Sequence, residues 1–203
     1  MKKDKKIRKR QRWMKKYFKK LSGREKKDFD QMTHDDHDKV IERAQKLLRI
    51  NDDDYPDVAP IMITVPDAFT KYDKVTYRLD IREDGSKTLH YDQALITTLF
   101  FGPEMLFYHQ VNVDHRDGRF AEDHVGEFRY ADVVLVETSL KYDNPDRPKY
   151  IILDLEVKLA SGTAVLFHLR NHRLHEDYDM PELLTDQEQH ILDQFQYRIR
   201  DKR

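Results

Sequence analysis

Asp154, Glu156 and Lys158 alternate with Leu153, Leu155, Val157 and Leu159 in the stretch YIILDLEVKL. Side chains two apart on a strand share a face, so Glu156 and Lys158 stand side by side. Together with a second carboxylate they can hold Mg²⁺ and orient water for attack on a phosphodiester. Asp132, in the preceding stretch RYADVVLVE, is placed to supply that carboxylate if residues 140–149 form a hairpin loop.

This set resembles the PD-(D/E)xK nucleases, which would make Asp132, Glu156 and Lys158 the catalytic residues of a Mg²⁺-dependent enzyme. Three features favour a plainer reading. A nuclease core needs a helix after the Glu-x-Lys strand, whereas Ser161-Gly162 turns straight into TAVLFHLRN, another strand pattern. The stretch alternates strictly, so one face is wet, unlike a strand buried on both sides. Alternation also generates Glu-x-Lys readily on a solvated face. The preferred expectation is therefore no catalytic residues, no metal site and no cofactor.

A second arrangement lies at the N-terminus. Met1 to Lys27 holds 15 Lys and Arg against two acids, Asp4 and Glu25. The rest of the chain holds 22 basic and 36 acidic residues. A net charge of -1 thus conceals a segment at +13 and a body at -14. At 100° per residue, Ile7, Trp13, Met14, Tyr17, Phe18 and Leu21 share an arc, and Arg8, Lys9, Arg12, Lys15, Lys16, Lys19 and Lys20 take most of the rest. Arg10 and Lys6 interrupt the apolar arc. Such a helix can meet an anionic membrane surface with Trp13, Tyr17 and Phe18 at the headgroup level. It can instead follow nucleic-acid phosphates with those aromatics stacking on bases, or dock on an acidic protein groove. A solvated arm, or a helix folded onto the acidic body, uses the same residues.

Smaller clusters carry less. His34 and His37, in THDDHD, share a helical face and are two candidate metal ligands, but carboxylates there also suit a helix N-terminus. His168, His172 and His175 read as a solvated strand end. The chain has no Cys, which excludes thiol catalysis, disulfides and Cys-ligated zinc. No Gly-rich phosphate loop and no Gly-x-Ser-x-Gly elbow occurs. No apolar run nears the roughly 20 residues that span a bilayer, and cations interrupt the N-terminus too often for a signal peptide. The expected location is the cytoplasm, with the membrane periphery as one destination.

These residues need elements to hold them. The basic helix is expected to end at Ser22-Gly23. Capping-box patterns at Ser22-x-x-Glu25 and Thr33-x-x-Asp36 predict two short helices, the second with Val40, Ile41, Ala44, Leu47 and Leu48 on one face. NDDDYPDVAP closes this part. From Ile61 the period changes to two, predicting seven strands: IMITV, KVTYRLDI, ALITTLFF, MLFYHQVNV, RYADVVLVE, YIILDLEVKL and TAVLFHLRN. A third capping box, Thr185-x-x-Glu188, opens a helix with Ile191, Leu192, Phe195 and Ile199 on one face. The divisions are 1–23, a basic helix or arm; 24–60, a helical arm and acidic linker; and 61–203, a β domain with its closing helix.

In ALITTLFFGPEMLFYHQ, FRYADVVLVE, the Ser161-Gly162 hairpin and the helix of residues 186–200, the chain resembles the pleckstrin-homology-like fold, especially its bacterial and GRAM-type members. The resemblance covers roughly residues 61–200. It implies an α+β fold, a seven-stranded antiparallel barrel or sandwich capped by a C-terminal helix. It also implies binding of phosphoinositides, peptides or proteins rather than chemistry. Lipid-binding members place Lys and Arg in the loop between the first two strands; here PDAFTKYD offers only Lys71. The expectation is a non-enzymatic binding or adaptor module. Its sheet domain takes a protein or peptide, and residues 1–27 direct it to an anionic membrane or nucleic acid.

Overall fold

The alternating stretches do become strands. A computed structural model describes residues 2–174 and 183–201. Over these residues it is α+β, with three helices and ten strands in three sheets, none closed. One sheet is an antiparallel meander of β2 (Ile61–Pro66), β5 (Gln93–Phe101), β6 (Met105–Asp114) and β7 (Arg119–Arg129). A second runs β8 (Val133–Tyr142), β9 (Tyr150–Leu159) and β10 (Ala164–Arg173). The third is small: β1 (Ser22–Arg24), β3 (Tyr77–Ile81) and β4 (Lys87–Tyr91).

Ten strands in three sheets replace the seven expected. The three additional ones, β1, β4 and β7, lie at sheet edges. An edge strand needs no apolar row on its outer side, and β7, RFAEDHVGEFR, keeps only Phe128 fully inside.

The main core draws on both larger sheets. Ile63, Leu99, Phe101, Leu106, Phe128, Leu155 and Phe167 meet there. The C-terminal helix α3 (Asp186–Asp201) covers them with Ile191, Phe195 and Ile199. The Phe195 ring lies 5.4 Å from Phe101 and 6.0 Å from Phe167. The Thr185 capping box forms reciprocally: the Glu188 N–H donates to Thr185 Oγ1 at 3.2 Å, and the Thr185 N–H donates to Glu188 Oε2 at 2.7 Å. Glu188 also receives the buried Arg170 guanidinium.

Residues 40–55 pack on the other side of the four-stranded sheet, and residues 13–18 pack in turn on Phe29 and Met32. One helix, α2 (Lys27–Leu48), replaces the two short ones expected. Thr33 caps nothing; its hydroxyl bonds back to the Phe29 and Asp30 carbonyls at 3.1 and 3.0 Å, inside the helix. Val40 packs on Ala94, Ile96, Val111 and Val113, and Ala44 packs near Tyr55 and Phe100. This second cover is why nearly every residue of β5 is buried.

The first helix, α1 (Lys2–Phe18), ends before Ser22. Ser22 pairs with Leu79 in a parallel ladder instead of capping a helix. Among the described residues, no helix is long and apolar enough to cross a membrane.

Candidate functional site

α1 is half consumed by the fold. Met14, Tyr17 and Phe18 are buried with Phe29, and Trp13 and Met32 pack around them. Trp13 and Phe29 stack on Tyr17 with ring centroids at 5.0 and 4.8 Å. This corrects part of the anionic-surface expectation: Tyr17 and Phe18 face inward, away from any lipid or base.

The cations stay outside. Arg8, Lys9, Arg12, Lys15, Lys16, Lys19 and Lys20 are all exposed. Among the described residues none has an acidic partner within ion-pair distance. Lys5, also exposed, joins them. On the helical wheel Arg8, Arg12, Lys19 and Lys5 form a crest. Lys15 lies on one flank and Lys9 and Lys16 on the other, an arc of about 120° in all.

Two buried polar clusters fix this ridge. Arg10 donates to both oxygens of Asp36, through Nη1 at 3.0 Å and through Nη2, and its Nε donates to the His115 carbonyl at 2.8 Å. His115 Nδ1 lies 2.9 Å from Asp36 Oδ2. Burial pushes the Asp36 carboxyl up, but the His115 and Arg10 hydrogen bonds overrule it and hold the group below the usual carboxylate range. Gly118 makes room for this cluster: its φ is +74°, and a Cβ there would sit 2.9 Å from Arg10 Nη1.

At the other end of α1, Tyr17 donates its hydroxyl to Asp80 Oδ2 at 2.5 Å. Arg78 Nε donates to Asp80 Oδ1 at 2.6 Å, and its Nη1 donates to the Tyr17 and Lys20 carbonyls at 3.1 and 3.3 Å. A cation on the last carbonyls suits the negative end of the helix dipole. Burial first, and then the Asp80 hydrogen bond, push the Tyr17 phenol well above its ordinary pKa. The misplaced charge in the apolar arc was the signal for the first cluster: Arg10 lies there because Asp36 receives it.

The Asp132, Glu156 and Lys158 set does not assemble. Asp132 belongs to a short 3₁₀ turn, Tyr130–Asp132, and its carbonyl accepts from the Ala160 N–H at 2.8 Å. Ala160 is four residues from Glu156, about 13 Å along the strand. Glu156 faces Glu137 across the ladder. Lys158 Nζ lies 3.0 Å from Glu156 and 3.6 Å from Glu137, and Glu156 first of all raises its pKa. After Lys158 the chain reverses at Ser161-Gly162 into β10. Asp154 is occupied by His168 Nδ1 at 2.7 Å and Lys141 Nζ at 3.0 Å. Among the described residues no three His, Asp or Glu groups lie together in a way that could hold a metal ion. His34 sits 3.7 Å from Asp38 on the surface of α2. His175 lies outside the described residues.

A different feature appears on β8. This strand pairs only with β9, so its other edge has no ladder among the described residues. Val136, Thr138, Leu140 and Tyr142 face buried Val157, Leu155, Leu153 and Ile151. They therefore stand on the core side of the sheet. Yet Leu140 is 40% and Tyr142 51% exposed. The core row is uncovered beside an unpaired edge, with neither Pro nor Gly to blunt it. Sequence reading missed this because exposure of an apolar row depends on what packs above it.

Four partly or fully buried histidines set the pH response. Burial, the largest cause in each case, lowers His37, His90, His109 and His172. For His172 burial and then the Arg170 charge outweigh Glu188 and bring the value to about 4. A lowered histidine is neutral in both states above its ordinary pKa of about 6.5; below it, the unfolded chain binds the proton first. Stability is therefore lost as pH falls from about 6.5 toward 4. His172 alone is expected to remove about 2 kcal/mol between pH 7 and pH 5. The part due to Asp36 and to Asp123, held at about 2 chiefly by Arg43, is lost only below about pH 4. Urea unfolding at the two pH values checks this; His172→Asn should shrink the gap by about that amount, and equal stabilities at pH 7 and 5 overturn the assignment.

The chain thus carries a rigid cationic ridge and an open strand edge on one α+β body. Comparison with protein-family models, with curated proteins and with solved structures finds no match to it.

Proposed function

We propose that this protein is a non-enzymatic binding or adaptor module of pleckstrin-homology-like build, taking a protein or peptide partner on its sheet domain and turning its basic helix toward an anionic surface. The strand order supports the build: β2, β5, β6, β7, then β8, β9, β10, then α3, with β3 and β4 as an insertion.

One observation carries the peptide reading, the uncovered core row on the open edge of β8. An extended segment laid along that edge gains main-chain hydrogen bonds, and its alternate side chains cover Leu140 and Tyr142. Affinity then comes from the ladder and selectivity from the apolar shelf.

Screening a library of extended peptides should yield binders that slow amide hydrogen exchange along β8. Leu140→Glu with Tyr142→Glu should weaken them at least about tenfold, or 1.4 kcal/mol, with a much smaller effect on the thermal midpoint, since both side chains are already about half exposed. Binders that protect some other strand, or that ignore the double substitution, overturn the reading.

A further inference from the structure

The sequence alone left the basic helix with several partners, and its placement in the fold separates them. A peripheral membrane helix binds through buried apolar area together with charge. Here the apolar arc is already used: Met14, Tyr17 and Phe18 are within the protein and Trp13 is stacked against Tyr17. Apart from Asp4 and Gln11, the exposed residues of α1 are cations. Their arrangement also disfavours a plane. A flat surface meets the crest, Arg8, Arg12, Lys19 and Lys5, but leaves Lys15, Lys9 and Lys16 pointing sideways. It also faces the exposed acids of α2, Asp28 and Asp35, which lie beside Lys9. Those acids are repelled by a continuous anionic sheet.

A concave partner with charge on two walls satisfies all three rows. The major groove of B-form DNA is about 12 Å wide and admits a helix of about 10–12 Å diameter. Phosphates line both of its rims. From Lys5 to Lys19 the ridge runs about 21 Å, enough to follow the groove past several phosphates on each side. We propose that the α1 ridge docks in the major groove of a DNA duplex, its flanking lysines against the two phosphate walls. This rests on the reading that the ridge meets an anionic surface, and it names that surface. The ridge is preorganised for the task, because Arg10 and Arg78 hold its middle and its C-terminal end against the body.

Binding of the full chain to a blunt DNA duplex, to an RNA duplex of the same sequence and to phosphatidylserine-containing vesicles tests it. The DNA affinity should fall steeply with salt, with a log–log slope of about -0.9 for each phosphate neutralised. A crest variant, Lys5→Gln/Arg8→Gln/Arg12→Gln/Lys19→Gln, should flatten the slope by about 3 to 4. A flank variant, Lys9→Gln/Lys16→Gln, should flatten it by about 2. All six sites are exposed, and unchanged thermal midpoints will show that the fold is intact. The RNA duplex, whose deep major groove is too narrow for a helix, should bind more weakly. RNA or vesicles held as tightly as DNA overturn the groove fit, as does a flank variant that binds like wild type. Vesicles bound while DNA is ignored overturn the inference and leave the anionic-surface reading standing. If neither is bound at low salt, both fall.

Discussion

Asp36→Ala is expected to cost about 3 to 5 kcal/mol of folding stability, the range for removing one member of a buried ion pair. Asp36 is fully buried and accepts from Arg10 through both oxygens, with His115 on the second. Without it the Arg10 guanidinium keeps only the His115 carbonyl as acceptor, and it and the imidazole face each other in a largely buried site with no carboxylate between them. The cheapest relief is for α1 to lift away, which uncovers Met14, Tyr17 and Phe18. Two measurements separate this from a general weakening. Chemical denaturation gives the loss, and limited proteolysis at residues 19–21 should accelerate more than cleavage elsewhere. Asp35→Ala, one residue away but exposed, should change stability by less than about 0.5 kcal/mol. A loss for Asp36→Ala as small as that of Asp35→Ala contradicts the clamp.

Glu188→Ala should be of similar size, about 3 to 5 kcal/mol, for a different assembly. Its carboxylate accepts Arg170 Nε at 2.7 Å and also Nη2, and it closes the cap on the Thr185 N–H at 2.7 Å. Both Arg170 and Glu188 are buried. Removing the acid therefore strands a charge and frees the first turn of α3, the helix that covers Phe101 and Phe167. Thr185→Ala removes only the hydroxyl of the cap and should cost about 1 kcal/mol. The paired replacement Arg170→Met/Glu188→Leu should recover most of the loss, because an apolar pair of similar volume has no charge to strand. Denaturant midpoints for the three variants decide it. A double variant as unstable as Glu188→Ala alone shows that the ion pair is not the source of the effect.

How far these clusters were legible differs by kind of signal. Local chemistry read well. Thr185 and Glu188 form their cap as their spacing predicts, and Ser161-Gly162 reverses the chain between β9 and β10. Met14, Tyr17 and Phe18 of the expected apolar arc are buried, whereas Leu21, past the end of α1, is exposed. Patterns of the same form failed where a distant partner intervened. Ser22-x-x-Glu25 looks like Thr185-x-x-Glu188, but Leu79 offers Ser22 a parallel ladder. Thr33 found acceptors within its own helix. Tertiary pairing outranked local preference at Ser22, and a competing local hydrogen bond did so at Thr33. β7 was missed because its alternation is written in charged residues. The surfaces proposed for DNA and for a peptide depend on what is left uncovered, and that is decided only when Tyr17, Phe18, Leu140 and Tyr142 have been placed.

Arg10 and the His115 carbonyl it grips are separated by 105 positions in the chain. During synthesis at about 5 to 20 residues per second, the first helix leaves the ribosome some 5 to 20 s before its anchor exists. Through that interval Trp13, Met14, Tyr17 and Phe18 have only Phe29 and Met32 of α2 to lie against. The dense positive charge beside them then serves a second purpose, keeping the nascent segment dispersed until β6 arrives to receive it.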